Sequence, residues 1–303
     1  MSFSGPLLIA IAAILWGVDG ILRRSLYALP PVTIVFYEHL IGTLILLPFF
    51  LRVFRNESLT KKEWWAIIFV ALTSGVLGTL FFTEALAAVN YIPFSVVFLL
   101  QKLQPIFVVG TAAIVLKEKL SKLYWIWGGV AIIAAYFVTF PEGWVNVGSG
   151  TLAAALFAVL AALCWGVSTA ISRYALLQHS SLFITGIRFF LATLFAIPFV
   201  FALGAEGSVS LVGNDQVLRF IGIALTSGAV ALWIYYRGLK STKASVATIV
   251  ELLFPLTAVL IDIYLYKTIL EPQQYIAGVV LIFAVYKVAR LNKKIATAEM
   301  AQV

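Results

Sequence analysis

The residues that could do chemistry in this chain are charged side chains inside long apolar stretches. Lys102 and Glu251 each lie near the middle of such a stretch, and Gln101 is the neighbour of Lys102. A cation and a carboxylate at that depth would hold a zwitterion, with its carboxylate on Lys102 and its ammonium group on Glu251. The same two residues could instead form a structural salt bridge between two helices.

Three carboxylates, Asp19, Glu38 and Glu84, lie within about two helical turns of the ends of their apolar stretches. Clustered and buried carboxylates can exchange protons near neutral pH, so these residues are candidates for proton coupling. Two simpler interpretations remain open, since Glu84 could extend to the membrane interface and Asp19 could pair with Arg23, four residues further on.

Two arginines and three aromatic residues complete the candidate site. Arg188, inside an apolar stretch, could bind an anionic group or extend to lipid phosphates. Arg237, near the end of its own stretch, is a candidate gate residue. The deep aromatic residues that could shape a cavity and hold an apolar or cationic part of a ligand are Trp16, Trp165 and Tyr37.

Pro105 and Pro255 each lie within an apolar stretch, where a proline removes a backbone donor and bends a helix. The bends could act as hinges of a gate. Proline is also common in membrane helices without such a role.

Composition places these residues in a lipid bilayer. The chain is 62% hydrophobic and 11% charged, with a mean hydropathy of +1.04. Backbone groups in a bilayer must be satisfied internally, which favours helices. We predict an all-α integral membrane protein with ten spans: Gly5–Leu22, Val32–Leu51, Trp64–Ala88, Pro93–Leu116, Leu123–Phe140, Thr151–Tyr174, Leu182–Ala202, Val217–Tyr236, Ala244–Tyr266 and Gln273–Val288.

The charge pattern sets the predicted orientation. A net charge of +8 would suggest nucleic acid in a soluble protein, but here Lys and Arg concentrate in alternate connectors and the C-terminal tail. Because such residues accumulate on the cytoplasmic side, both termini are predicted to be cytoplasmic, and no nucleic-acid partner is expected. One cysteine, Cys164, and two histidines give no disulfide framework and no metal site, and no cofactor is expected. The first span lacks the features of a cleaved signal peptide.

The chain repeats itself after about 150 residues, which predicts two inverted halves of five spans each. The halves are predicted at residues 1–148 and 149–292, followed by a cytoplasmic tail at 293–303. Inverted repeats with an odd number of spans are typical of secondary transporters. The matching segments are Ala13–Val18 with Ala162–Val167, Gly42–Phe49 with Ala192–Phe199, Ala71–Gly75 with Ala224–Gly228, and Gln101–Pro105 with Glu251–Pro255.

These motifs resemble those of the EamA-type proteins of the drug/metabolite transporter superfamily. The resemblance rests on the Trp-Gly pair in the first helix of each half, the segment Arg188–Pro198, a proline late in each fourth helix, and an acidic turn at Lys117–Leu120. The chain departs from the pattern at Thr268, which takes the place of Glu118, and at Gln104 and Phe254, where many relatives have Glu.

The resemblance implies ten helices in a prokaryotic inner or plasma membrane, with the substrate cavity between the halves and the fifth and tenth helices peripheral. It also implies export of amino acids or other small metabolites, for which proton coupling is a further hypothesis. The alternatives are an exporter of organic cations or drugs, a channel, or an intramembrane enzyme. No hydrolase, Walker or metalloprotease motif supports an enzyme. The expected partners are a small-molecule substrate, the bilayer and protons, and the sequence does not indicate an oligomeric state.

Overall fold

The computed structural model describes residues 4–26, 28–87, 100–101, 103–139, 151–254, 256–257, 260, 264 and 271–300. For 20–21, 24, 151–152, 154 and 292–300 it describes the backbone alone. Within these ranges all regular elements are helices, which confirms the predicted all-α class.

The helices follow one another with short connections. One π-helical segment, Ala71–Gly78, joins α3 to α4. The α-helices are α1 (Gly5–Arg24), α2 (Pro31–Phe54), α3 (Lys61–Val70), α4 (Thr79–Ala87), α5 (Gln104–Val115), α6 (Lys122–Thr139), α7 (Thr151–Leu176), α8 (Ser181–Ala202), the single turn α9 (Glu206–Val209), α10 (Asn214–Leu225), α11 (Ala229–Lys240), α12 (Ala244–Val250) and α13 (Pro272–Met300).

By length and composition, six helical segments can cross a membrane: Pro31–Phe54, Lys61–Ala87, Ala155–Leu176, Ser181–Ala202, Asn214–Lys240 and Pro272–Leu291. Three shorter apolar helices accompany them, at Gly5–Asp19, Gln104–Val115 and Lys122–Val138. Most predicted spans agree with these helices to within a few residues. The count of ten spans stays a prediction.

The repeated segment Ala-Leu-Thr-Ser-Gly interrupts the α-helix in both copies, at two spans that we predicted as continuous. In the first copy it begins the π-helix Ala71–Gly78, where the Thr79 hydroxyl donates to the Ser74 carbonyl at 3.2 Å. In the second, α10 ends at Leu225 and the Gly228 N–H donates to the Ile223 carbonyl at 2.7 Å. Hydroxyl side chains that bond the backbone, together with glycine, weaken the regular ladder at these positions.

The first helix of each predicted half packs against helices of the other half. Helix α1 contacts α11 and α12, and α7 contacts α3, the π-helix, α4 and α5. Helices α2 and α8, the second of each half, pack together, and α6 packs against α13. The polar residues of α1, α7 and their partners therefore meet between the halves, although the boundaries of the halves remain a prediction.

The glycines of the two Trp-Gly pairs allow this close packing. A Cβ built on Gly17 would lie 2.5 Å from Cβ of Thr257, and one on Gly166 would lie 2.7 Å from Cβ of Phe107. Thr257 and Phe107 occupy equivalent places in the repeat. The glycine is thus required where the first helix of one half crosses the fourth span of the other.

A local pseudo-two-fold relation is visible between α2 and α8. The hydroxyls of Thr43 and Thr193 lie 3.0 Å apart, and these residues are counterparts in the repeat. Contact between a residue and its own counterpart is expected close to a two-fold axis.

Candidate functional site

Glu251 lies immediately after α12 and receives hydrogen bonds from two other helices. The Tyr235 hydroxyl of α11 donates to Oε1 at 2.5 Å, and the Gln104 amide of α5 donates to Oε2 at 3.0 Å. Glu251 is half-buried, and no ion pair with it is formed by the described residues. Its carboxylate is therefore held by neutral donors that fix its position.

The predicted aromatic residues divide between two places. Trp16 lies against Tyr235, with ring centroids 5.1 Å apart, so it borders the Glu251 carboxylate. Trp165 donates to the Ser74 carbonyl at 3.1 Å and packs on Phe82 with centroids 5.2 Å apart. Trp16 is the one that the structure brings to Glu251.

Glu118, in the acidic turn after α5, positions the helix that carries Glu251. It accepts the Ala244 N–H at 2.8 Å, the Ser245 N–H at 3.2 Å and the Ser245 hydroxyl at 2.6 Å. Arg173 lies 3.5 Å from the same carboxylate. A carboxylate at a helix N-terminus satisfies free N–H groups, so Glu118 fixes the start of α12.

Of the remaining central predictions, Lys102 and Pro255 lie outside the described residues. Gln101 is half-buried, and its buried amide nitrogen has no hydrogen-bond partner among the described residues. Pro105 lies in the first turn of α5, where a proline needs no donor. Its hinge role stays a prediction.

Arg188 lies in a second polar network that borders the first. Its guanidinium donates to the Tyr236 hydroxyl at 2.8 Å and to the Ser74 hydroxyl at 2.6 Å, and Ser172 lies 2.7 Å from the same tyrosine oxygen. The rings of Tyr235 and Tyr236 are 6.1 Å apart. The two neighbouring tyrosines thus link the Glu251 and Arg188 groups.

Two of the predicted coupling carboxylates meet on one arginine. Arg23 Nε donates to Asp19 at 2.7 Å and Nη2 donates to Glu38 at 2.9 Å, while Nη1 lies 3.4 Å from the Thr83 hydroxyl. The Ser227 hydroxyl of the other predicted half donates to Asp19 at 2.6 Å. Only 4% of Arg23 is exposed, although we counted this residue in an outer connector.

Three predicted site residues lie apart from these groups. Glu84 is half-buried, with no hydrogen bond or ion pair to the rest of the described chain. Tyr37 stacks on Phe220 and donates to the Val209 carbonyl at 2.8 Å, so its hydroxyl anchors the connector after α8. Arg237 is exposed and lies over the ring of Trp233 at 5.9 Å.

Sequence reasoning missed Arg23 and Tyr235 as partners of the candidate carboxylates. The pattern did place Arg23 on the same helix face as Trp16 and Asp19, which was the available signal. Nothing local marks Tyr235 or Gln104 as ligands of Glu251. Among the described residues, no group of three or more His, Cys, Asp or Glu could hold a metal ion.

The family model described as the EamA-like transporter family matches residues 3–140 and again residues 152–290. The chain belongs to this family. It is therefore a membrane-embedded transporter of a small molecule, as the motifs indicated.

Named relatives agree with this assignment. The riboflavin transporter ImpX of Fusobacterium nucleatum is 35% identical over 299 residues, covering 95% of this chain and 98% of that protein. The pseudopaline exporter CntI of Pseudomonas aeruginosa is 27% identical over 254 residues, covering 74% of this chain and 86% of that protein. A crystal structure with 16% sequence identity matches with a TM-score of 0.75 over 96% of this chain and 98% of that one, which supports the fold.

Proposed function

We propose that this EamA-family protein transports a flavin, and that riboflavin is the first substrate to test. The observation that carries the proposal is its similarity to a riboflavin transporter, 35% identical over nearly the whole of both chains. This replaces amino acids, the class favoured by the sequence, as the first candidate.

The Glu251 group has the chemistry that a flavin requires. The isoalloxazine ring is planar and carries N–H and carbonyl groups at one edge, so aromatic faces and a few fixed polar groups recognise it. Trp16 and Tyr235 provide the faces, and the Glu251 carboxylate and the Gln104 amide provide an acceptor and a donor. Gln101, whose amide nitrogen lacks a partner among the described residues, supplies a further donor.

The proposed mechanism is alternating access. Polar contacts between the two predicted halves lie on both sides of the Glu251 group, Ser227 to Asp19 and Ser74 to Arg188. Opening one set while the other stays closed would expose the substrate to one side at a time. Export from the cytoplasm, coupling to protons through Asp19, Glu38 or Glu84, and a gate that involves Pro105, Pro255 and Arg237 are part of the proposal.

An amino acid is the second candidate, and one arrangement favours it. Glu251 and Arg188 lie on either side of the Tyr235–Tyr236 pair, so the described residues place opposite charges near each other. In this version the ammonium group binds Glu251, and Arg188 replaces or assists Lys102 at the carboxylate.

Binding to the purified protein distinguishes the two candidates. Titration of the detergent-solubilised protein with riboflavin should quench flavin fluorescence in a saturable way and raise the Tm, whereas L-amino acids should not change the Tm. The variant Glu251→Gln should weaken riboflavin binding, while Tyr286→Phe, at an exposed position, should bind normally. Stabilisation by an amino acid and not by riboflavin would refute the flavin proposal.

A further inference from the structure

Two buried polar networks occupy equivalent places in the repeat. The network around Arg23, which we call the outer network, consists of Asp19, Arg23, Glu38, Thr83 and Ser227. The residues equivalent to them are Ser168, Ser172, Arg188, Tyr236 and Ser74, which form the inner network around Arg188. Each network is completed by the serine of the Ala-Leu-Thr-Ser-Gly segment of the opposite half.

Equivalent residues make equivalent contacts in the two networks. Arg23 bonds Thr83 in the outer network, and Ser172 bonds Tyr236 in the inner one. Ser227 reaches Asp19 from the opposite half, and Thr73, the neighbour of Ser74, likewise reaches Ser168 at 2.8 Å. The networks therefore differ in charge more than in construction.

The outer network balances its cation. Arg23 is held between the Asp19 and Glu38 carboxylates at 2.7 and 2.9 Å. A buried arginine with ionised partners and further hydrogen bonds has the compensation that burial requires.

The inner network does not balance its cation with any described residue. Arg188 is 9% exposed, its two hydrogen-bond partners are neutral hydroxyls, and its buried Nε has no partner in the part of the chain that the structure describes. No described carboxylate lies within 4.0 Å of it. A buried guanidinium without an anion is costly, and its planar donors match a carboxylate or a phosphate.

We propose that Arg188 binds an anionic group of the transported solute, a phosphate or a carboxylate. The solute would supply the negative charge that Glu38 supplies at the equivalent place in the outer network. This inference rests on the proposed function as a transporter of flavins, and within that class it favours flavin mononucleotide over riboflavin. The contact between Tyr235 and Tyr236 places the anion subsite beside the aromatic subsite at Glu251.

Stability of the ligand-free protein gives the first test. Arg23→Gln leaves two buried carboxylates without their cation and should lower the Tm strongly. Arg188→Gln leaves only neutral hydroxyls behind, so the Tm should stay near that of the wild type. An equal loss of Tm in both variants would show that Arg188 has a structural role and would overturn the proposal.

Binding of anions gives the second test. Inorganic phosphate, acetate, riboflavin and flavin mononucleotide are added separately to the purified wild type, Arg188→Gln, Arg188→Lys and the exposed control Arg52→Gln, and the Tm and flavin fluorescence are followed. Flavin mononucleotide should bind the wild type more tightly than riboflavin does. Arg188→Gln should lose roughly 10- to 100-fold in affinity for flavin mononucleotide, Arg188→Lys should lose less, and Arg52→Gln should match the wild type.

The outcomes separate this inference from the proposed function. If neither flavin binds but phosphate or acetate stabilises the protein only when Arg188 is present, the anion site stands and the flavin substrate fails; the responding ion distinguishes phosphate from carboxylate. If riboflavin binds the wild type and Arg188→Gln equally and no anion shows a response that depends on Arg188, the anion site is refuted and the flavin substrate stands.

Discussion

Glu251 is held by one donor from α11 and one from α5, while Trp16 of α1 lies against the tyrosine that donates to it. Three helices therefore determine the position of a single carboxylate. Loss of either donor should displace it, since a hydrogen bond to a charged group contributes about 1.5–3 kcal/mol.

Removal of the Tyr235 hydroxyl tests this arrangement. Tyr235→Phe should reduce riboflavin flux by about one order of magnitude or more, by the free energy of a hydrogen bond to a carboxylate. Glu251→Gln should have a larger effect. Flux into proteoliposomes measures both, with Tyr286→Phe as the matched tyrosine control at an exposed position. Normal flux in Tyr235→Phe and Glu251→Gln would remove Glu251 from the site.

Arg23 should be among the residues on which folding depends most. Arg23→Met should cost about 3–5 kcal/mol, because it leaves Asp19 and Glu38 buried without their cation. Thermal unfolding in detergent measures the change, and Arg52→Met, at an exposed position, provides the control. The double variant with Glu38→Gln should recover part of the loss, and a double variant no more stable than Arg23→Met would argue against the ion pair.

Glu38 also carries the coupling hypothesis. If proton exchange at this carboxylate drives transport, Glu38→Gln should remove the response of flux to a pH gradient across the proteoliposome membrane, while flux without a gradient persists. A retained response would assign coupling to Asp19, to Glu84 or to another residue. The salt bridge from Arg23 means that protonation of Glu38 would have to weaken that contact.

At the scale of helices, the crossing of the first helix of each half with the fourth span of the other depends on Gly17 and Gly166. Gly17→Ala and Gly166→Ala should each destabilise the protein by about 1–3 kcal/mol through overpacking. Gly129→Ala places a methyl group where nothing lies within 4 Å, so it should be tolerated. Thermal unfolding compares the three, and equal stability of Gly17→Ala and Gly129→Ala would contradict the close crossing.

The positions of most helices could be predicted from hydropathy because a spanning helix needs an apolar stretch of about 20 residues. The interruptions at Ala71–Gly78 and after Leu225 could not, since the same five residues, Ala-Leu-Thr-Ser-Gly, produce a π-helix in one half and an unwound turn in the other. Packing against different neighbours decides between these conformations, and periodicity does not report neighbours.

For the whole molecule, the orientation predicted from Lys and Arg can be tested with single cysteines. In a Cys164→Ala background, Arg55→Cys should react with an impermeant thiol reagent only from the cytoplasmic side, and Leu211→Cys only from outside. Both positions are exposed, so the reagent can reach them. Labelling of both from one side would contradict the predicted arrangement of spans.

The repeat predicted which residues are equivalent, such as Glu38 and Arg188, but not which residues touch. Arg23 was counted in a connector, yet it lies between two carboxylates, and Gln104 was noted only as a departure from the family pattern, yet it bonds Glu251. These contacts join α1 with α2 and α5 with the residue after α12. Such pairings depend on how helices pack, which a single sequence does not specify.

Counterflow in proteoliposomes tests the central claim most directly. Vesicles loaded with unlabelled riboflavin and diluted into labelled riboflavin should accumulate the label transiently and saturably when they contain the wild type, and accumulate much less with Glu251→Gln. A measurable ionic conductance without counterflow would indicate a channel. Counterflow of an amino acid in place of riboflavin would contradict the flavin proposal.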